Sequence, residues 1–282
     1  MKRLMWLFVL LSFIGYGPLA AQTLTGDQIL ARAAEEGALT ASGSRINLVD
    51  FQVQSADGAR VQRRFAFFSK RQEGQPDRLL IYFLAPELER GTIFLSVDPV
   101  DPAQDTRLWL YLSALGQVKE LVSENDRSAG FAGSNLQNDQ IGGGLDFSKD
   151  YTGELAGQEP VTVNWLGQDQ ARTAYKVKLS AKPEADVDFP SGTVWIDAET
   201  FVALRGELIN KADALEQAFA PNQFADFEGD IEANQIVIKN VLDNSQTTIT
   251  ITDRRALDEL PDEIFTPEAL PGFDPAQYGV EG

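Results

Sequence analysis

The sequence predicts a mainly β chain with few helices, built as one long antiparallel sheet. Three observations predict it. From Ile46 onward apolar residues recur at every second position, the period of a strand. Short turns rich in Gly, Pro and Asp separate these runs with no helix between them, so neighbouring runs pair as a meander rather than as βαβ units. Roughly a dozen runs follow one another, and a sheet that long curls.

The elements follow in chain order. Lys2 and Arg3 open a basic start, residues 4–14 are apolar, and Gly15, Gly17 and Pro18 break the run before Leu19-Ala20-Ala21. This is a signal-peptide layout with cleavage expected after Ala21, and the run is too short to span a bilayer. The division is therefore a signal peptide over 1–21 and a single domain over 22–282, with no Pro/Ser-rich linker inside it. Thr25-Gly26-Asp27 precedes Ile29, Leu30, Ala33 and Ala34, which reads as a capped amphipathic helix lying across the sheet.

Val49, Phe51 and Val53 alternate, Asp57-Gly58 turns, and 61–69 runs back with Phe65 and Phe67 on one face. Residues 78–84, with Phe83, form a third strand stopped at Pro86. Residues 92–97, with Phe94, form a fourth stopped at Asp98-Pro99. Residues 108–112 are five large apolar residues in a row, a strand covered on both faces. Gly116 turns, and 117–123 returns. Residues 126–149 are the longest stretch without strand character, holding glycines at 130, 133 and 142–144 and a short helical piece near 135–140. Loops this long in a compact domain are functional or disordered. Strands resume at 161–166, 173–180, 192–197 and 201–210, then more loosely at 214–227, where Pro221 argues against a regular ladder. Residues 235–240 and 247–253 close the series.

Trp109-Leu-Tyr-Leu-Ser-Ala-Leu-Gly116-Gln-Val118, the Ser/Asp/Arg-rich step after it, and Phe131 between Gly130 and Gly133 carry a resemblance. Together with 194–197 (VWID), 248–253 (TITITD) and 260–265 (LPDEIF), they resemble the LolA/LolB-like outer-membrane lipoprotein-sorting proteins, in the branch associated with RND/MMPL-type exporters. The resemblance covers most of the mature chain. It implies a LolA-like unclosed β-barrel, a curled sheet with a helical and loop lid over an apolar cavity. It also implies acyl chains of a lipid or lipoprotein as ligand, an RND-type inner-membrane partner, and transfer toward the outer membrane. Ser113 stands where relatives commonly carry Pro in the W-x-Y-x-P step.

The chemistry narrows the classes further. With no His and no Cys, the chain holds no Ser-His-Asp or Cys-His machinery and no zinc site of the usual kind. It has neither a P-loop nor G-x-G-x-x-G, and no cofactor or metal is expected. Asp226, Glu228 and Asp230, and separately Asp98, Asp101 and Asp105, could offer oxygen ligands to calcium, but neither has EF-hand spacing and solvated turns account for both. Carboxylate hydrolysis is the one catalysis left open, and 42 acids make chance pairs uninformative. The net charge is −18, and losing Lys2 and Arg3 with the signal leaves 22 basic residues against 42 acidic, a net −20. Such a polyanion does not seek nucleic acid. Absence of cysteine in an exported chain fits a bacterial periplasm.

The positive case rests on aromatic residues. Phe65, Phe67, Phe83, Phe94, Trp109, Tyr111, Phe131 and Trp195 are the expected lining of an apolar cavity, although a plain core would use the same residues. Asp126, Arg127, Gly130 and Gly133 are the expected lid and hinge, with Arg127 placed to latch the lid by bonding to backbone. The reading is a monomeric, non-enzymatic periplasmic carrier. The alternative is a periplasmic sensor or interaction module regulating envelope signalling, a role the same fold also serves.

Overall fold

The computed structural model describes residues 24–35, 42–101, 104–142, 146–185 and 187–281, so the signal-peptide segment 1–21 and Gly143-Gly144 lie outside the described residues. The chain opens with helix α1 (Gly26–Glu35). Thr25 and Gln28 cap it reciprocally: the Gln28 amide donates to Thr25 Oγ1 at 3.2 Å and the Thr25 amide donates to Gln28 Oε1 at 2.9 Å. Strands β1 (Gly43–Gln54), β2 (Arg60–Arg71), β3 (Asp77–Ala85), β4 (Ile93–Asp98), β5 (Arg107–Leu112) and β6 (Gln117–Glu120) follow as an antiparallel meander. Three short helices, α2 (Glu124–Ser128), α3 (Asn138–Gly142) and α4 (Phe147–Asp150), then interrupt the strands. The second series is β7 (Tyr151–Trp165), β8 (Gln168–Ala181), β9 (Ser191–Asp197), β10 (Ala203–Ile209), β11 (Leu215–Phe227), β12 (Asp230–Asn240) and β13 (Ser245–Leu257). A tail of 3-10 turns, Asp262–Phe265, Pro267–Gly272 and Pro275–Tyr278, ends the chain.

All thirteen strands belong to one sheet, in the order β10-β9-β8-β7-β11-β12-β13-β1-β2-β3-β4-β5-β6. The last strand pairs with the first, from Ser44↔Leu257 to Gln54↔Gln246, so the two halves of the chain meet mid-sheet. At one end β11 pairs with β10 and, by a short parallel contact, with β7. At the other end β6 has a neighbour on one side only, among the described residues. The sheet is strongly curled and not closed as a whole, the mainly β, unclosed architecture the sequence predicts.

Three details differ from the sequence reading. Strand β7 begins at Tyr151 rather than near 161; Gly153, Gly157 and Pro160 mask its first half, and a register shift at Leu155/Gly157 absorbs the irregularity. Strand β6 is shorter than expected, ending at Glu120. Pro221 stays inside β11 but sits at a register shift against β12, where a missing N–H costs no regular ladder bond.

Alternation gives the meander two buried faces. Phe65 and Phe67 of β2 join an inner core with Val49, Phe51, Ile81, Phe83, Phe94 and Leu108. Ala66 and Phe68 join an outer core with Leu80, Leu95 and Trp109, covered by Leu260, Phe265, Leu270 and Val280 of the tail. Helix α1 contributes Ile29 and Leu30 to the inner core, and Asp27 Oδ1 accepts from the Gly153 amide at 2.6 Å.

Candidate functional site

The segment between β6 and β7 crosses the inner face and puts one aromatic ring into it. Phe131 is only 1% exposed. Its ring centroid lies 5.3 Å from Phe94, 5.5 Å from Phe65, 5.7 Å from Phe83 and 5.9 Å from Phe51. Phe65 in turn makes edge contacts with Phe83 at 4.8 Å and Phe51 at 4.9 Å. Each of these four sheet residues comes from a different strand, and Phe131 is the ring that completes the cluster. Edge-to-face pairs at these spacings add to the burial energy of the rings.

The backbone around Phe131 explains how a loop can present it. Ala132 and Gly133 are both left-handed, at φ 48° and 70°, which turns the chain back at once. The Phe131 amide donates to the Leu136 carbonyl at 2.7 Å. Gly130 is required here, because a Cβ would sit 2.6 Å from the Ser134 carbonyl oxygen. Beside the buried Phe131, Leu136 and Ile141, the loop is held to the sheet by polar contacts. The Asn135 amide donates to Thr247 Oγ1 at 2.9 Å, its Nδ2 donates to Ser245 Oγ at 2.6 Å, and Gln217 Nε2 donates to its carbonyl at 2.7 Å. Ser96 Oγ donates to the Gly142 carbonyl at 2.9 Å.

Asp126 and Arg127 lie in α2, at the start of this segment. Arg127 Nη1 donates to the Thr106 carbonyl at 2.9 Å, a bond to backbone. Asp126 accepts from Lys119 Nζ at 2.6 Å and from Ser123 Oγ, and these two bonds hold its carboxyl below the usual range. In α3, burial pushes the Asp139 carboxyl up, opposed by the charge of Arg127.

Of the expected lining, the structure brings Phe65, Phe67, Phe83, Phe94 and Phe131 together on the inner face. It separates Trp109 and Tyr111 from them, while Trp195, 4% exposed, belongs to the same continuous buried cluster at its β9 end. Trp109 and Tyr111 pair with Leu95 and Ile93 in the β4–β5 ladder and share their outer face under the tail. Trp195 pairs across strands with Lys176 and Arg205, whose charges lie 5.2 and 4.5 Å from its ring, and its Nε1 donates to Glu159. Directly paired residues share a face, so Trp195 is buried beneath the Lys176 and Arg205 side chains. The reason is register: adjacent strands can be in or out of phase, and sequence alone does not give the phase. Phe51, Leu136, Ile141 and Asn135 also build the site and were not singled out; the alternation Val49-Phe51-Val53 was the available signal for Phe51. Beside the loop lies an open groove of about 400 Å³ between Gln137, Asp188, Phe189, Asn210, Lys211 and Glu216.

The acidic clusters take ordinary roles. Asp98 accepts from Lys149 Nζ at 2.7 Å, and Asp226 accepts from the Gly229 amide at 3.1 Å. Among the described residues no three Asp or Glu converge as a metal-ligand set, and no helix is long and apolar enough to cross a membrane.

Comparison with solved structures defines the class of fold. The chain is similar to a DUF1329 family protein from Desulfovibrio piger, at 23% identity and TM-score 0.76 over 88% of this chain and 100% of that one. It is similar to a candidate outer membrane lipoprotein-sorting protein domain from Vibrio parahaemolyticus, at 21% identity and TM-score 0.70 over 86% and 97%. It is also similar to a LolA superfamily protein from Nitrosomonas europaea, at 20% identity and TM-score 0.64 over 86% and 98%. The fold is therefore LolA-like. A family model described as "Uncharacterized protein" matches residues 75–271, and the chain belongs to that family. A search of curated proteins finds no match.

Proposed function

We propose that the protein is a periplasmic carrier that takes up the acyl chains of a lipid or lipoprotein on its inner face and passes them toward the outer membrane. The observation that carries this reading is Phe131, a ring from a polar-tethered loop seated among Phe51, Phe65, Phe83 and Phe94. A loop that supplies one ring to an aromatic site can withdraw it, and a methylene chain fills such a space with about 0.8 kcal/mol per buried CH₂. The segment from Asp126 to Gly142 then acts as a lid, with Arg127 and Asn135 as latches. The LolA-like fold supports the carrier role. The resemblance around Trp109 to Gly133 supports an RND/MMPL-type exporter as partner, and the reading takes the mature chain as a monomer.

Phe131→Ala tests it. The wild type and the variant are titrated with a fluorescent long-chain fatty acid. Both bind, and the variant binds roughly tenfold more tightly, because its site no longer has to expel a ring. If neither binds, and native mass spectrometry of detergent-free protein shows no lipid adduct, the carrier reading falls and the interaction module takes its place.

A further inference from the structure

The inner face has a second character at one end. Strand β12 pairs with β13 from Asn240↔Ser245 to Gln235↔Thr250 and then parts from it, while continuing with β11 as far as Phe227↔Asp230. Three charged side chains meet where the strands part: Arg45 of β1, Glu232 of β12 and Arg254 of β13. Their exposures are 10%, 5% and 7%. Arg45 Nη1 donates to Glu232 Oε1. Arg254 Nε lies 3.2 Å from Glu232 Oε2 without a hydrogen bond, and is left buried with no acceptor. The other contacts are weaker in charge. Arg45 Nε donates to the Ser42 carbonyl at 3.3 Å, and its guanidinium lies 5.2 Å from the Phe227 ring. Arg254 Nη1 donates to Asn234 Oδ1 at 2.8 Å, and Nη2 donates to the Ala233 carbonyl.

Two guanidiniums thus share one carboxylate, which leaves one positive charge out of water. Burial pushes the Arg254 guanidinium down from its ordinary value, Glu232 alone opposes this, and Arg45 adds to it. A buried charge without a counter-ion is costly, and apolar side chains would close the same gap without that cost. The position of the charge also counts. In the ladders Phe67 pairs with Asn47, and Asn47 pairs with Arg254. Paired residues share a face, so Phe67, Asn47 and Arg254 form one row across the inner face, from phenylalanine to guanidinium. Asn47 is 4% exposed, and its Oδ1 has no partner.

We infer that this row binds an amphiphile end to end: the chain along the phenylalanines, and an anionic group, a phosphate or carboxylate, at Arg254 and Arg45. The inference rests on the carrier reading for the chain and adds the headgroup class. A guanidinium with a free Nε matches such an oxyanion, and the bond is charge-assisted. The net negative charge of the protein makes a buried cation on this one face a point of selection rather than of general attraction.

The test compares oleoyl lysophosphatidic acid with monooleoylglycerol, two lipids with one chain in common, and includes inorganic phosphate alone. The wild type binds the phosphate-bearing lipid at least tenfold more tightly, Arg254→Gln narrows the ratio below threefold while monooleoylglycerol binding stays the same, and millimolar phosphate competes weakly. Arg254→Lys, which keeps the charge and removes the unpartnered Nε, reduces lysophosphatidic acid binding severalfold and serves if Arg254→Gln does not fold. Equal binding of both lipids by the wild type overturns the inference and leaves the carrier standing. Tight binding of phosphate alone overturns the lipid assignment, because the site would then serve a free anion. Binding of none of the three overturns the carrier reading as well.

Discussion

Phe67 and Phe68 are neighbours in β2, 1% and 0% exposed, and they are buried by different means. The inner face that Phe67 shares with Phe51 and Phe65 is crossed by a short loop that offers one ring, Phe131, and makes hydrogen bonds to Ser245, Thr247 and Gln217. Over Phe68 lies the C-terminal tail, with Phe273 at 5.1 Å and Tyr278 at 5.5 Å, and with Leu260, Phe265 and Leu270 spread along the outer core. Proline at 261, 267, 271 and 275 limits the freedom the free tail would regain. The tail is also pinned by Lys70, which is 3% exposed and donates to Glu259 at 3.0 Å, the Leu260 carbonyl at 2.9 Å and Asp262 at 2.7 Å. One cover is apolar and anchored at many points. The other adds a set of polar attachments to three buried apolar side chains, Phe131, Leu136 and Ile141. Polar attachments exchange readily for water, and the carrier proposal therefore takes the inner cover as the one that moves.

The contrast can be broken from either side. Phe68→Ala should have the largest effect, a loss of about 3–5 kcal/mol in denaturant unfolding, with fatty-acid affinity unchanged. A matching loss of binding would mean that the two faces are not independent. Asn135→Ala should cost about 1–3 kcal/mol, since Ser245 and Thr247 lose their bonds to the Asn135 side chain in a partly buried place, while the backbone bonds to Thr247 and Gln217 remain. It should also raise the rate of lipid uptake in stopped-flow mixing, which Phe68→Ala should not. The smallest effect is in pH. Lys70 holds the Asp262 carboxyl below its ordinary value, so the pair contributes stability that is present above an unfolded value of about 4 and is lost as pH falls through the lower folded value. Hydrogen exchange in 260–280 should therefore quicken in acid before exchange in β2 does. Simultaneous loss in both would show that the tail has no separate equilibrium.

Much of this contrast was legible in the sequence, and the limits are specific. Alternation exposed the strands of the meander, and Gly130-Phe131-Ala132-Gly133 marked a loop with an aromatic in an unusual turn. Leu108 to Leu112 read as covered on both faces; Leu108 and Trp109 are buried and face opposite ways, the first to the inner core and the second to the outer. What could not be read was phase. Trp109 and Phe94 both looked like lining, and only the pairing Leu95↔Trp109 puts them on opposite sides. The outer cover was missed because its residues are scattered among prolines with no period. The Arg45–Glu232–Arg254 cluster was missed because its members lie far apart in the chain and meet only where β12 leaves β13. Asn135 drew notice only as one end of the short helical stretch, since nothing local distinguishes an asparagine that meets β11 and β13, 82 and more than 100 residues away.

The pairing of β13 with β1 sets the order of assembly. The first hairpin cannot be enclosed until the last strand has been made, because its free edge at β1 is filled from Ser245–Leu257. A nascent chain that stops before Ser245 holds two unfinished sheets, each with an open edge. Contacts of such long sequence separation close slowly. The two halves of the sheet are therefore joined only once the chain has been made as far as Leu257.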